Sequence, residues 1–449
     1  MSKIKPFKSL LYNGSKIGGD YASVMAPPYD VISERKRDEL YEKSEYGIIR
    51  LILGRSFPGD DDGDNRYTRA RKDMDEWCRE GILARDDVAS FYVYLQEYDF
   101  KGVRRRRIGF LGLMKIGEAG DDTVKPHEFT LAKPKADRMN LIQQVESNLS
   151  PIFTLYEDRT GVITEILNKH ISAASPIVDI TIDGESHKVW RIRDKASIRK
   201  VSDSMAREKV FIADGHHRYE VARAYRDMKR QEPGYDGSAD YVMMYFADML
   251  DKENLTVMAT HRVVKIMPEA DESKIAEELG GYFDVCESCS MPGLMEKLEG
   301  RGEEGYTFGF FGGSKYFCLT AKDKNEVMGL IKEDKSPEWK MLDVSMLHSA
   351  VFRNILSICN DEGNITYVRD AEEAEVLVRD GSHMAAFLMN PTRVEQIKAV
   401  AELGEMMPQK STYFYPKLLT GLVINKFEKK TLVEAGLVGA LNDAEEKDS

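Results

Sequence analysis

The stretch Phe211-Ile212-Ala213-Asp214-Gly215-His216-His217-Arg218-Tyr219-Glu220 decides how this chain is read. It continues an apolar run from Val210, so it predicts a buried strand, a tight turn at Asp214-Gly215 and a helix opening near His216. Downstream, Val221, Ala222, Tyr225 and Met228 recur at helical spacing, with Arg223, Arg226, Lys229 and Arg230 between them, giving that helix a core face and a wet face. A strand-to-helix corner of this kind suits phosphate. Backbone N–H groups and the positive end of the helix dipole face the turn, and Gly215 lets an anion approach the backbone. His216, His217 and Arg218 add donors and positive charge. Asp-Gly is a common turn dipeptide, and a lone His in a turn is ordinarily structural. Two adjacent His with Asp and Arg at one element's end favour a ligand, because such groups are costly to desolvate together.

Upstream lies a second landmark, Lys125-Pro126-His127-Glu128-Phe129-Thr130 followed by Lys133-Pro134-Lys135-Ala136-Asp137-Arg138. Pro134 suits a first helical turn, and Met139, Leu141, Ile142 and Val145 continue a helix. His127 and Glu128, with Lys133, Lys135 and Arg138 close by, read either as a general base with anion-binding partners or as a charged surface loop. A strand at Pro151 to Tyr156 follows, then an α/β alternation to Ala213.

Further out, Ala26-Pro27-Pro28-Tyr29-Asp30 is stiff and extended, and Ser33 caps a helix over Glu34 to Lys43. The Asp60-to-Asn65 loop does not fit an EF-hand frame and reads as a solvated cap for a helix over Tyr67 to Glu80. Phe91 to Leu95 and Ile108 to Met114 predict strands, with Arg104 to Arg107 in their connection as a solvated edge. Beyond Val263 a different region alternates helices, at Ala270 to Leu279 and Pro292 to Leu298, with strands at Tyr306 to Phe311 and Lys315 to Leu319. The Gly312-Gly313-Ser314-Lys315 order lacks the phosphate-loop pattern and reads as a hairpin. A lone Cys286-x-x-Cys289 reads as free thiols. The last region opens with a helix over Trp339 to Ile358 and includes a strand at Met384 to Met389. Its stretch Met406 to Lys417 carries Lys410, Ser411, Thr412, Lys417 and three aromatics, and reads as either a rigid loop or a substrate contact. The charged residues after Lys429 are expected to fray.

At 449 residues the chain is too long for one ordinary core. An apolar content of 42% and a charged content of 31% are those of an ordinary soluble protein. The net charge of −12 argues against specific nucleic-acid binding. The start has no apolar leader-like segment and no apolar run reaches about 18 residues, so the expectation is a cytoplasmic protein without a membrane partner. Five cysteines, an odd number, suit a reducing compartment. A homo-oligomer stays open.

His127-Glu128, then Arg138, then Asp214-Gly215-His216-His217-Arg218 resemble the signature of the ParB/sulfiredoxin-like superfamily, and in particular its free L-serine kinase branch. The whole chain is also similar to a widespread bacterial and archaeal family of unassigned function. The motifs that carry this likeness are Ala26 to Asp30, His127 to Thr130, Ala213 to Tyr219, Thr260 to Arg262 and Met407 to Lys417. The resemblance implies an α+β fold with a ParB/sulfiredoxin-like mixed α/β core. The expected regions are 1–115 (N-terminal α/β), 116–263 (nucleotide-binding catalytic core), 264–340 (inserted subdomain) and 341–449 (C-terminal α/β).

It also implies a phosphotransferase that moves a phosphoryl group from ATP or ADP, with Mg²⁺, to a small hydroxyl substrate, L-serine first. In that reading Glu128 is the catalytic base beside His127, and Asp214, Gly215, His216, His217 and Arg218 hold the nucleotide. Thr130, Lys133, Arg138, Lys410 and Ser411 face the substrate. No residue is assigned as a direct metal ligand, although Asp214 could reach Mg²⁺ through water. The alternative is a nucleotide-dependent switch or ligand sensor without kinase turnover. Arg138 and Asp214 stand more than seventy residues apart, wider than in the small kinases of that branch.

Overall fold

The computed structural model describes residues 3–118, 120–269, 271–301, 305–359 and 363–428. Helices and mixed sheets make an α+β protein, as the sequence predicts. The sequence reading divides the chain into four consecutive regions, whereas contacts group it into two interleaved units. Lys125–Phe129 and Leu255–Tyr415 form the second unit, and the other described residues form the first.

The first unit is built on a nine-stranded sheet. Seven of its strands lie in the order Val210–Asp214, Ile152–Tyr156, Tyr241–Asp248, Val103–Lys115, Phe91–Phe100, Glu185–Ile192 and Val178–Ile182, and Ile4–Lys5 adds onto Val103–Lys115. Ile152–Tyr156 and Tyr241–Asp248 run parallel, and the other pairings along this order are antiparallel. The central strands read as near-continuous apolar runs because they are buried on both faces. Helices Val162–Ala173, Lys195–Met205 and His216–Lys229 pack Ile163, Leu167, Val201, Met205 and Ala222 against Val93, Phe110, Met244 and Phe246. Gly109 is required at the sheet's centre, since a Cβ there would stand 2.3 Å from the Phe246 carbonyl oxygen.

In the second unit a six-stranded antiparallel sheet runs Phe283–Ser288, Tyr316–Ala321, Thr307–Phe311, Ala385–Met389, His261–Val264 and Ile365–Val368. Helices Met291–Gly300 and Ala371–Arg379 cover it with Leu294, Leu298, Ala374 and Val378. Gly312 to Lys315 form the predicted hairpin turn. Its amides at Gly312 and Lys315 donate to the Glu272 carboxylate, so an internal carboxylate takes the place an anion would seek.

Most predicted elements stand within a residue or two of their expected ends. Ser33 caps Glu34–Lys43, and Asn65 caps Arg66–Arg79 while Asp60 and Asp64 pair with Arg69. Of the helix expected from Ala270, the described part is Glu272–Leu279, capped by Asp271. The five cysteines are free thiols.

Two expectations are corrected. Arg104 to Arg107 do not form a connection, and although Arg104 is exposed the run turns inward by Arg107. They lie inside strand Val103–Lys115, in the middle of the sheet, and Arg107 is only 1% exposed. The strand pairs through them to Phe100, which moves the turn out to Lys101 and Gly102, both at positive φ. The helix expected over Trp339 to Ile358 is broken as well. It becomes Pro337–Lys340, Asp343–Ser345 and a ten-residue π-helix, Met346–Ile355, with Leu342 in extended backbone between the first two. The tail after Lys429 lies outside the described residues. No helix among the described residues is long and apolar enough to cross a membrane.

Candidate functional site

The corner in the first unit forms as its local sequence requires. Strand Val210–Asp214 ends at Gly215, whose φ of +93° is a left-handed conformation open to glycine, and helix His216–Lys229 starts at once. Gly215 brings no capping side chain to the helix start. The Arg218 guanidinium folds over this glycine, 2.9 Å from where a Cβ would be, so any side chain at 215 would collide with it.

Asp214 sits between two cations. Arg218 Nη2 donates to its Oδ2 at 2.6 Å and the Lys417 ammonium to its Oδ1, with side chains 14%, 14% and 11% exposed for Asp214, Arg218 and Lys417. Burial opposes ionisation of Asp214, but the Lys417 ammonium and then the Arg218 guanidinium outweigh it and hold the carboxyl well below the usual range. The trio therefore carries one positive charge in excess. Arg218 also donates to the Pro151 carbonyl.

The histidines differ from the expectation of two added cations. His216 is buried, and burial pushes its pKa down to about 3 despite the pull of Asp214, so it is neutral near pH 7. His217 Nε2 accepts the Leu131 N–H at 2.8 Å, so that nitrogen carries no proton. His217 anchors the incoming segment, while positive charge comes from Arg218 and Lys417.

Lys417 is the residue that sequence reasoning missed. The reading leaves it in a stretch that is either a rigid loop or a substrate contact and gives it no link to the corner, yet it pairs with Asp214 across 203 positions. What delivers it is the buried end of the arginine run. Arg107 donates to the Gln96 side-chain oxygen and to the Pro416 carbonyl, and Gln96 Nε2 donates to the Lys417 carbonyl at 3.0 Å. The guanidinium lies 4.6 Å from the Phe153 ring centroid, and Phe153 is the strand partner of Asp214. No local pattern marks Arg107 apart from Arg104 to Arg106, and only the pairing register exposes the difference.

The remaining assigned residues fall in both units. Thr130 Oγ1 and Lys135 Nζ donate to Glu220 on the corner helix, at 2.6 and 3.0 Å. Lys133 is exposed on the first turn of Ala132–Val145. Arg138 is buried, bonded to Asp137 and to the Ile52 carbonyl, and stacked 3.9 Å from the Tyr29 ring centroid. Tyr29, Arg138 and Arg218, with Ser150, Leu141 and Val221, line a cavity of about 60 Å³ in the first unit. In the second unit Glu128 Oε1 accepts the Lys410 N–H at 2.9 Å. His127 is buried, its Nε2 3.1 Å from Thr412 Oγ1 and its carbonyl accepting the Met407 N–H. Ser411 is buried and donates to the Pro408 carbonyl, so its hydroxyl is turned into its own loop.

No curated protein matches the sequence. Among solved structures, a free serine kinase in complex with AMP aligns at 14% identity and TM-score 0.32, over 67% of this chain and 86% of that one. A conserved hypothetical protein from Pyrococcus furiosus aligns at 16% and 0.33, over 68% and 91%. SbnI with a C-terminal truncation, from Staphylococcus aureus, aligns at 12% and 0.34, over 76% and 97%. The family model described as "Protein of unknown function (DUF1015)" matches residues 4–345, and the chain belongs to that family.

Proposed function

We propose that this protein binds the phosphates of a nucleotide at the Asp214-to-Arg218 corner and transfers a phosphoryl group to a small hydroxyl compound, L-serine first. The observation that carries the reading is the corner's composition: a helix start with glycine in place of a capping side chain, beside a largely buried Arg218, Lys417 and Asp214 trio with one positive charge in excess. The five N–H donors of Arg218 outnumber the two acceptors it meets, Asp214 and Pro151, so it can hold Asp214 and still turn donors to a phosphate. Lys417 contributes a point charge on the other oxygen of the same carboxylate. A bound nucleotide would supply the transferable phosphoryl group, with ATP or ADP as donor.

Magnesium fits this corner in one way only. Among the described residues no cluster of three or more His, Cys, Asp or Glu is arranged to hold a metal, and Asp214 already serves two cations. A magnesium ion would therefore be held chiefly by phosphate oxygens and water, its usual manner beside nucleotides, with Asp214 reached through water.

Phosphoryl transfer asks the protein for positioning and charge neutralisation more than covalent chemistry. Within the proposal Glu128 takes the proton of the attacking hydroxyl. It is half buried, and the Lys410 N–H fixes one oxygen. Arg138 and Lys133 remain the proposed partners of a substrate carboxylate.

The test is calorimetric titration with AMP, ADP and ATP, followed by mass-spectrometric detection of O-phosphoserine from each donor plus L-serine and Mg²⁺. Nucleotide binding with product formation is the expected result. Binding without product from any small alcohol would move the assignment to a nucleotide-dependent switch, and no nucleotide binding would sink it.

A further inference from the structure

The Thr260-His261-Arg262 motif has no part in the chemistry above, yet Arg262 is among the largest fully buried side chains of the molecule. It stands on strand His261–Val264, and burial pulls its pKa down to about 10, with Tyr367 and Glu128 resisting. A buried guanidinium must spend its donors on acceptors, and here Nη2 spends its own on the Gln409-Lys410 segment. Nη2 donates to the Lys410 carbonyl at 3.1 Å and, more weakly, to that of Gln409 at 3.4 Å. Nη1 donates to the Thr260 carbonyl, and Nε donates to His348 Nε2 at 3.1 Å.

His348 lies in the π-helix Met346–Ile355, a conformation rare over so many residues and often found at functional positions. The segment that Arg262 grips is itself constrained. Lys410 holds a positive φ of 56°, Thr392 donates to the Ser411 carbonyl at 2.8 Å, and Met407 pairs with Glu128 as a parallel bridge. From the same peptide region Lys410 turns its N–H onto Glu128 Oε1.

We infer that Arg262, oriented by His348, is a positioning residue: it clamps the Gln409-Lys410 peptides so that the Lys410 N–H aims the Glu128 carboxylate. The inference rests on Glu128 being the base of the proposed transfer. It gives the Thr260-to-Arg262 motif and the π-helix one shared task. Lysine cannot replace arginine there, because one ammonium cannot span His348 and the loop carbonyls in a planar fork.

The experiment uses the full chain in two measurements. In hydrogen–deuterium exchange, Arg262→Met should speed exchange in the peptide covering Gln409 to Thr412 while the strands Phe91–Phe100 and Ala385–Met389 stay protected. In steady-state kinetics with nucleotide and L-serine, the same variant should lower kcat by up to about 10²-fold, the cost of a misplacement of about 1 Å, and leave the nucleotide KM unchanged. Arg262→Lys should restore little of that loss. In a Glu128→Gln background, Arg262→Met should cost nothing further.

An unchanged loop peptide, or a kcat loss that persists in full without Glu128, overturns the inference while the phosphotransfer reading stands. A Glu128→Gln variant with full turnover removes Glu128 as the base and overturns the inference with it, whereas a wild-type chain that forms no product overturns the phosphotransfer reading itself, and loop exchange then decides whether the clamp exists. Should Arg262→Met loosen every strand, Arg262→Lys is measured in its place by the same criteria.

Discussion

Two buried arginines, one in each unit, grip the two ends of the stretch Met407 to Lys417, and they do so on different terms. Arg107 holds the Pro416 carbonyl and a glutamine oxygen under the face of Phe153. Arg262 holds the Lys410 carbonyl and a histidine nitrogen, 5.4 Å from the Tyr367 ring centroid. In both cases the acceptors named are neutral and several are backbone carbonyls, so what each guanidinium fixes is the path of the chain. Arg138 is the contrast, spending its fork on the Asp137 carboxylate. The two grips differ in what they deliver. Arg107 presents a cation, Lys417, to Asp214, whereas Arg262 presents an N–H, that of Lys410, to Glu128. A single stretch thus carries Lys417 at one end and the Lys410 N–H at the other.

If that division holds, damage at the Lys410 end should strike turnover and damage at the Lys417 end should strike binding. The largest effect is expected for Glu128→Gln, which keeps size and removes basicity. kcat should fall about 10²–10⁴-fold with nucleotide affinity nearly unchanged, a split that steady-state kinetics and calorimetry read together. Near-normal turnover would erase the contrast. Asp214→Asn comes next. It leaves Lys417 and Arg218 facing each other without their carboxylate, and chemical denaturation should show a loss of about 3 kcal/mol, the lower end for breaking a buried pair because these side chains keep some solvent. Arg218→Ala should weaken nucleotide binding by about 1.5–3 kcal/mol, the range for a lost charged hydrogen bond. Calorimetry showing the wild-type affinity would move the phosphates elsewhere.

Per group and per pH unit, the smallest effect is a pH dependence of stability. Burial holds His216 to a pKa of about 3, and His187 and His261 to about 4. These values lie below the value of about 6.5 in an unfolded chain, so the unfolded state binds more protons in the interval between. Each group's contribution is complete above pH 6.5 and is lost as pH falls through 6.5 toward 4 and 3, at about 1.4 kcal/mol per pH unit. Denaturation midpoints that stay flat from pH 7 to pH 5 would contradict the burial of all three.

The corner is legible in the chain because its parts are neighbours. Val210 to Asp214 propagate a strand, Gly215 alone tolerates the turn, and the apolar period from Tyr219 sets the helix, all within about twenty residues. The charge at the corner is not legible. Reading two histidines as two cations fails because protonation depends on which groups enclose an imidazole, and His216 is enclosed by protein while His217 receives a backbone donor from Leu131. The arginine run misleads for the same reason: Arg104 and Arg107 look alike in sequence, and only strand alternation and the central place of Val103–Lys115 send one to water and the other inward. The break at Leu342 and the π-helix after it escape a periodicity of 3.6 because the apolar pattern there still looks helical.

By itself the sequence determined the α+β character, the caps and turns, the strand-to-helix corner, and membership in a family through motifs spread along the chain. These follow from constraints that act over a few residues, such as steric limits on φ, hydrophobic period and cap chemistry. The tertiary structure alone decided that Lys417 neutralises Asp214, that Arg107 and Arg262 are buried anchors, and that the histidines of the corner are not its cations. Desolvation and Coulomb energy depend on distance in space, and residues 203 positions apart in sequence form an ion pair only where the fold brings them together.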